Sequence, residues 1–403
     1  MQKKLTVAVI GCGGFAASFV PLFQKHPYVE KVYVCDIVRE RAESYQEKFG
    51  AEIVESFEAA LKNKEINAVA IFTERHTHGP LVVQALRAGK HVYSAVPMAS
   101  EITHCKEIIE AVKETGLTYM MGETCIYYPS SMYCKEQYEA GEFGNFVYGE
   151  AQYHHDITHF PEVFKNDKSS AGVPPFYYPT HSTAMILHAL NTHVTKVAAF
   201  GYVDQENDGF FGKGNNMWDN PYSNSYSLMM LANGGTARIN ECRRIAFKAP
   251  SSHVSAFYGT KGSYQFQGAQ HAKYTLTKTG VTHEDVSDYV NPEAFEEMKK
   301  EPDFKNQVAN HVGQWNSFAP IQAKERARLP KEYDGLPNGH MASHQFLIDD
   351  FCKAAYHGTL PTVHAWLAAR YTIPGLVAHE AVKAGGAVLD VPDFGEPPEK
   401  FRK

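Results

Sequence analysis

Between Leu5 and about Gly122, short apolar runs alternate with stretches whose apolar residues recur at helical spacing. The runs Thr6 to Ile10, Lys31 to Cys35, Ala68 to Phe72, His91 to Ser94 and Thr118 to Met121 predict strands. Ala42 to Phe49, Phe57 to Leu61, Leu81 to Leu86 and Ile102 to Val112 predict the helices between them. Ser56 and Ser100 stand where N-caps belong, with Glu58 and Glu101 in the first turns, and Gly89 and Gly116 stand where helices stop. This half, residues 1–123, therefore reads as a doubly wound parallel sheet of repeated beta-alpha units.

After Gly122 the texture changes to aromatic and beta-branched runs separated by irregular polar loops. The expected strands are Phe146 to Tyr153, Val194 to Val203, Ser223 to Leu231, Gly235 to Cys242, Ser252 to Tyr258 and Gly262 to Phe266. Short connections such as Ala232-Asn233-Gly234 favour antiparallel pairing. Asp204 to Asn220 and His283 to Gly335 read as long polar loops, and His344 to Ala384 as closing helices. Residues 124–403 thus form an α+β domain with a large, mostly antiparallel sheet, and the chain as a whole belongs to the α/β class.

Strand Thr6 to Ile10 runs directly into Gly11-Cys12-Gly13-Gly14-Phe15-Ala16, and a helix is expected to follow to about Gln24. Glycine at the first position permits the tight turn, at the second it lets a pyrophosphate approach the backbone, and a small third residue lets helix and sheet pack closely. Asp36 closes the next strand, where an acid binds a ribose 2'-hydroxyl and repels a 2'-phosphate. NAD is the expected cofactor, with Arg39 and Arg41 just beyond as the residues that weaken its preference over NADP. In such a sheet ligands sit outside the carboxyl ends of the strands. Those ends are Thr73-Glu74-Arg75-His76, Ala95-Val96-Pro97 and Gly122-Glu123-Thr124.

Bulk properties narrow the class further. With 39 basic and 45 acidic residues and no basic block, the chain lacks the footprint of a polynucleotide binder. Its apolar runs are too short to span a bilayer, and Met1-Gln2-Lys3-Lys4 enters a strand without a signal-peptide core. Seven scattered cysteines without a Cys-x-x-Cys spacing read as reduced thiols. The expectation is a cytoplasmic protein with neither a nucleic-acid nor a membrane partner.

With Gly11 to Ala16, Thr73 to His78, "ALRAGKHVYSAVPMA" and "YMMGET" assembled, the chain resembles the Gfo/Idh/MocA family of sugar and inositol oxidoreductases. The resemblance implies a carbohydrate or glycoside substrate, and a second domain whose open sheet face mediates a homo-oligomer, a dimer or tetramer. It implies a cofactor site of Gly11, Gly13, Gly14, Phe15, Ala16, Asp36, Thr73, Arg75, His78 and Pro97. In that family the fifth strand usually ends in Glu-Lys-Pro, and the lysine helps deprotonate the substrate hydroxyl. Here the positions are Ala95, Val96 and Pro97, so Val96 takes no proton.

A branch sharing this loss resembles the NAD-dependent glycosidases of the alpha-N-acetylgalactosaminidase type. The shared words are "YMMGE", "GEFG", "EAQYHHD" and "YPTHS". That branch is thought to oxidise C3, abstract the C2 proton, expel the C1 substituent, add water and reduce again. Two departures stand out: Ala95 replaces a glutamate, and an arginine before "YPTHS" has no counterpart.

Oxidising an alcohol and removing the adjacent proton calls for two proton-handling groups. His181 and Tyr178 are the first candidates, sharing a face if the segment opens a helix; Tyr153 is the candidate for stabilising an enolate or acting on the leaving group. Glu123, His155, Arg243 and His344 are the candidate substrate contacts. Arg238, Glu241, Arg243 and Arg244 alternate, and an internal Glu241–Arg243 pair is preferred over an anion clamp. A metal at His154, His155, Asp156 and His159, or at His340 and His344, is disfavoured, because neighbours on a strand diverge and no zinc-type spacing appears. Three readings follow: an NAD-dependent oxidoreductase acting on a sugar or glycoside hydroxyl, probed first at C3; a redox-neutral hydrolase or lyase; and a non-catalytic nucleotide sensor.

Overall fold

The computed structural model describes residues 3–157, 160, 162–245, 253–267, 270–291, 293, 300, 317–336 and 338–401. The first sheet contains β1 (Leu5–Ile10), β2 (Val29–Cys35), β3 (Glu52–Ile53), β4 (Ala68–Ile71), β5 (His91–Ser94) and β6 (Tyr119–Met121) in the order β3-β2-β1-β4-β5-β6, all parallel. Every residue of β1 and β4 is buried, because helices cover both faces of the sheet. Strand order reverses between β1 and β4. The connections that follow these two strands turn to opposite sides of the sheet and open a crevice at the carboxyl ends.

Local signals set the helix ends where their chemistry is complete. The Ser56 hydroxyl accepts the Ala59 N–H at 3.1 Å and starts helix Phe57–Lys62, and Gly116 ends helix Ile102–Thr115 in the left-handed conformation. Ser100 does not cap: Glu101 takes the N-cap position without a side-chain bond, and the buried Ser100 hydroxyl has no partner. The expected continuous helix after the glycine turn is instead a 3-10 turn, Ala16–Ser18, followed by helix Val20–Lys25. Pro21 has no N–H to continue the first ladder.

The second sheet is formed by β7 (Phe146–His154), β8 (Val194–Val203), β9 (Tyr222–Leu231), β10 (Thr236–Cys242), β11 (His253–Gly259), β12 (Gly262–Gln267), β13 (Gln270–Thr277), β14 (Gly280–Asp285) and β15 (Leu389–Asp390). Their order is β14-β13-β12-β11-β7-β10-β9-β8-β15, antiparallel except for the β7–β10 pair. That parallel pair sets Glu241 directly opposite Tyr153 on the inner face, beneath helix Thr180–Leu190. The His283 to Gly335 loop expectation is corrected in its described parts. His283 lies in β14, and Ser287–Val290, Ala323–Ala327 and short 3-10 turns follow.

The closing helices, His344–His357 and Ala365–Lys383, return to the first sheet. Phe351 packs on Tyr93, the Met121 N–H donates to Val363 O at 3.1 Å, and His26 meets Asp349 at 3.4 Å. The C-terminal segment therefore braces the crevice end of the sheet.

Candidate active site

The nucleotide end of the crevice is built from the β1 turn. Gly11 has φ +95°, and a Cβ there would lie 2.6 Å from Phe72 O, so the turn closes against the end of β4 only with glycine. A Cβ on Gly13 or Gly14 would meet nothing within 4 Å, and both residues are exposed. Asp36 accepts the Cys12 N–H at 2.7 Å and the Val38 N–H at 2.8 Å, and the Tyr45 hydroxyl donates to Gly13 O. The Phe15 ring stands over the turn, against Phe19, Phe72, His340 and His344. Arg39 is taken by Glu43 and Glu55. An open glycine backbone, an acid at the second strand end and a helical N-terminus fit a dinucleotide with a free 2'-hydroxyl.

His78 fastens the β4 and β5 ends together. Its Nδ1 bonds Pro97 O at 2.8 Å and its Nε2 bonds Thr73 O at 3.0 Å, while burial lowers its pKa. It is a staple between two loops, and the Val96–Pro97 peptide it holds is cis.

Across the crevice stands a cluster drawn from the end of β6, from β7 and from the start of helix Thr180–Leu190. Glu123 follows β6 and is fully buried; its Oε1 accepts from His181 Nδ1 at 2.6 Å and from the Cys125 N–H at 2.9 Å. Burial alone would raise its carboxyl, but the His181 ring and these bonds hold it below the usual range. His181 sits in the first turn of helix Thr180–Leu190, and Tyr178 lies just before it with ring centroids 5.2 Å apart. His181 is thus bonded through Nδ1 to Glu123. Tyr153 lies 5.3 Å from the His181 ring and 5.9 Å from Tyr178, and its hydroxyl is hydrogen-bonded to His155 Nδ1. Burial pushes the Tyr178 phenol up to about 12 and the Tyr153 phenol well above its usual value, so both keep their protons at neutral pH.

Behind Tyr153, Glu241 accepts the Ser182 hydroxyl at 2.6 Å and pairs with Arg243 at 3.2 Å. The Arg243 guanidinium lies 5.1 Å from the Tyr153 ring centre. The expected Glu241–Arg243 contact is therefore present, and it supports the tyrosine from behind. Arg75, expected at the cofactor, places its guanidinium 4.8 Å from the Tyr178 ring centre.

His344, expected at the substrate, is 1% exposed and stacks on Phe19 at 4.3 Å, beneath Phe15. Burial and His340 push its pKa well down. His340 stands against Phe15, and burial brings its pKa down to about 4, with smaller influences from His181 and Glu123. It opens a run of three left-handed residues, His340, Met341 and Ala342. The other expected histidine group does not assemble as a metal site among the described residues: His155 is committed to Tyr153, and His159 lies outside the described residues.

Glu123, Cys125 and His181 do bring three ligand-type atoms within 4.8 Å of one another. Burial keeps the Cys125 thiol protonated, with a pKa well above its usual value, and the other two are bonded to each other. A protonated thiol beside a hydrogen-bonded acid–imidazole pair suits proton handling better than a cation.

Sequence reading missed the Glu123–His181 bond, the Ser182–Glu241 bond and the contact of His340 with Phe15. The single available signal was the position of Glu123 at a strand end, since the partners are 58 and 59 residues apart.

Residues 5–123 match the model of the oxidoreductase family with an NAD-binding Rossmann fold, Gfo/Idh/MocA. A glycosyl hydrolase family 109 protein of Streptomyces filamentosus is 22% identical over 420 residues, covering 98% of this chain and 78% of the relative. An alpha-N-acetylgalactosaminidase of Bacteroides fragilis is 28% identical over 141 residues, 32% of each chain. A solved levoglucosan dehydrogenase, in complex with NADH and levoglucosan, superposes with a TM-score of 0.73 at 18% identity, covering 97% of this chain and all of that one.

Proposed function

We propose that this chain, whose N-terminal domain is the NAD-binding domain of the Gfo/Idh/MocA oxidoreductases, oxidises a hydroxyl of a sugar or glycoside, with C3 the position to probe first. The observation that carries the reading is the convergence of Glu123, His181, Tyr178 and Tyr153 on the crevice that the glycine turn opens. In the proposed complex the Gly11 to Ala16 turn holds the pyrophosphate, Asp36 a ribose hydroxyl, and the Thr73 and Pro97 loops that His78 staples together the far end of the cofactor. Bound NAD supplies a hydride acceptor, and a donor if the cycle returns it.

His181 takes the hydroxyl proton at Nε2 while Nδ1 stays bonded to Glu123. The buried carboxylate fixes the ring orientation and favours the positive charge that forms on it. Tyr178 offers its phenol proton to the developing oxyanion. No proton is required of Val96, so a lysine at the end of β5 is not needed in this scheme.

A second reading, the redox-neutral cleavage of a glycoside, is favoured by one observation. Tyr153 with His155 forms a second proton-handling unit beside the first, which simple oxidation does not require. In that cycle Tyr153 Oη exchanges a proton with His155 Nδ1 as it handles the substrate proton next to the ketone or the departing group. A non-catalytic sensor has no use for two such units.

The test is incubation of the protein with NAD and a panel of free sugars and glycosides in D2O. Stoichiometric NADH identifies a dehydrogenase; aglycone release with deuterium at C2 and no accumulated NADH identifies the redox-neutral cycle. Neither signal on any member would refute both.

A homo-oligomer belongs to the same reading. The outer face of β8 and β9 exposes Phe200 (64%), Leu228 (54%) and Met230 (51%) side by side, an apolar patch suited to a second copy. A solution mass that drops to that of one chain on Leu228→Lys is the expected result. Location in the cytoplasm is supported by seven buried, unpaired cysteines. No helix among the described residues is long and apolar enough to cross a membrane.

A further inference from the structure

Among the described residues Arg75 has neither an ion pair nor a hydrogen bond for two of its nitrogens. Its Nε and Nη1 are buried without a partner, and the guanidinium lies against the Tyr178 ring at the start of helix Arg75–Arg87. The nearest acid in the chain, Glu74, takes the Ser170 hydroxyl at 2.6 Å instead. Arg75 as a whole is half-buried, but buried N–H groups left unpaired are costly, and these two mark a place where an acceptor is meant to arrive.

The charges around the site leave this cation without a counterweight. Glu123 is committed to His181, and Glu241 faces Arg243 at 3.2 Å. Burial brings His340 and His154 down to about 4, so both are neutral near pH 7. Burial also pushes the Glu241 carboxyl up to about 8, which leaves the surroundings of Tyr153 more positive below that pH. Arg75 and Arg243 both act on Tyr153 and Tyr178, so the excess charge falls beside the two tyrosines.

We infer that Arg75 is a specificity-determining residue that recruits a carbohydrate carrying an anionic group, a carboxylate or a sulfate. The inference rests on the reading that a sugar binds beside His181 and Tyr178. Guanidinium forks pair with planar carboxylates and with sulfate oxygens, and the Tyr178 face holds the fork in one plane. A neutral sugar would leave the buried N–H groups only hydroxyl acceptors.

Calorimetric binding to the NADH-loaded full chain tests it, with galactose, galacturonate and galactose 6-sulfate as probes. The expected result is a preference of roughly tenfold or more for one anionic sugar over galactose, weakened by added salt. The two anionic arms identify which group is recognised. Arg75→Met should bring the ratio towards one, and Arg75→Lys should keep part of it. Equal affinity for the three sugars, no measurable affinity for any, or a preference intact in Arg75→Met overturns the inference. Turnover is read separately: charge-selective binding without NAD reduction removes the proposed reaction but leaves Arg75 in place. Oxidation of neutral and anionic sugars alike does the reverse.

Discussion

Replacing Glu123 by glutamine removes one charge from the centre of the site and little else. Both hydrogen bonds of the carboxylate, to His181 Nδ1 at 2.6 Å and to the Cys125 N–H at 2.9 Å, use Oε1, which the amide retains. The second oxygen, which the amide nitrogen replaces, has only the Thr180 hydroxyl beside it among the described residues. What is lost is the attraction between the carboxylate and the positive imidazole ring formed when His181 takes a proton. Two unit charges about 4 Å apart at an effective dielectric constant of about 20 attract by about 4 kcal/mol, an upper figure. Hydrogen bonds to charged groups contribute about 1.5–3 kcal/mol net, so turnover should fall roughly 10- to 150-fold. The assay is NADH formation, or aglycone release, at saturating NAD, with circular dichroism and NADH titration run in parallel. Activity within about threefold of the parent, with fold and NADH binding intact, would refute the proposed role of the pair.

Tyr153→Phe should separate the two proposed half-reactions: aglycone release should fall on the order of 100-fold or more, while first-turnover NADH formation in stopped flow falls much less. Equal losses would place Tyr153 in the oxidation step. Gly11→Ala forces a Cβ to 2.6 Å from a backbone oxygen at φ +95°, which should cost on the order of 1–3 kcal/mol of stability and weaken NADH binding, as melting and fluorescence titration would show. Glu241 has a folded-state carboxyl raised from 4.5 to about 8, so between those values the folded chain holds a proton that the unfolded chain has lost. Its contribution to stability therefore declines as pH rises across that window. Thermal melts of Glu241→Gln and the parent should diverge in the variant's favour from about pH 5 to about pH 8, and parallel curves would contradict the shift.

The glycine turn, the strands of the first sheet and the Ser56 cap were legible because each depends on residues within one or two turns of the chain. The strand pair β13–β14 was not. β14 is exposed at every position, so it carries no apolar alternation, and only pairing with β13 makes it a strand. Pro21 and Ser100 show the same limit at helix starts, where the hydrogen-bond ladder, rather than residue preference, chose the first residue.

For the site, the sequence by itself determined the types of residue at the strand ends: an acid after β2, no proton carrier at Val96, an acid at Glu123. It also supplied the His181 and Tyr178 spacing that a helix start makes adjacent. Tertiary structure alone decided the partners. Glu123 meets His181 because both are buried and a buried charge requires a close partner, wherever in the chain that partner lies. Tyr153 meets Glu241 because β7 and β10 pair in parallel, in a register that the core-facing positions of both strands impose. Nε and Nη1 of Arg75 are left without a partner among the described residues for the same reason, since the fold buries them beside Tyr178 and no described acid pairs with them.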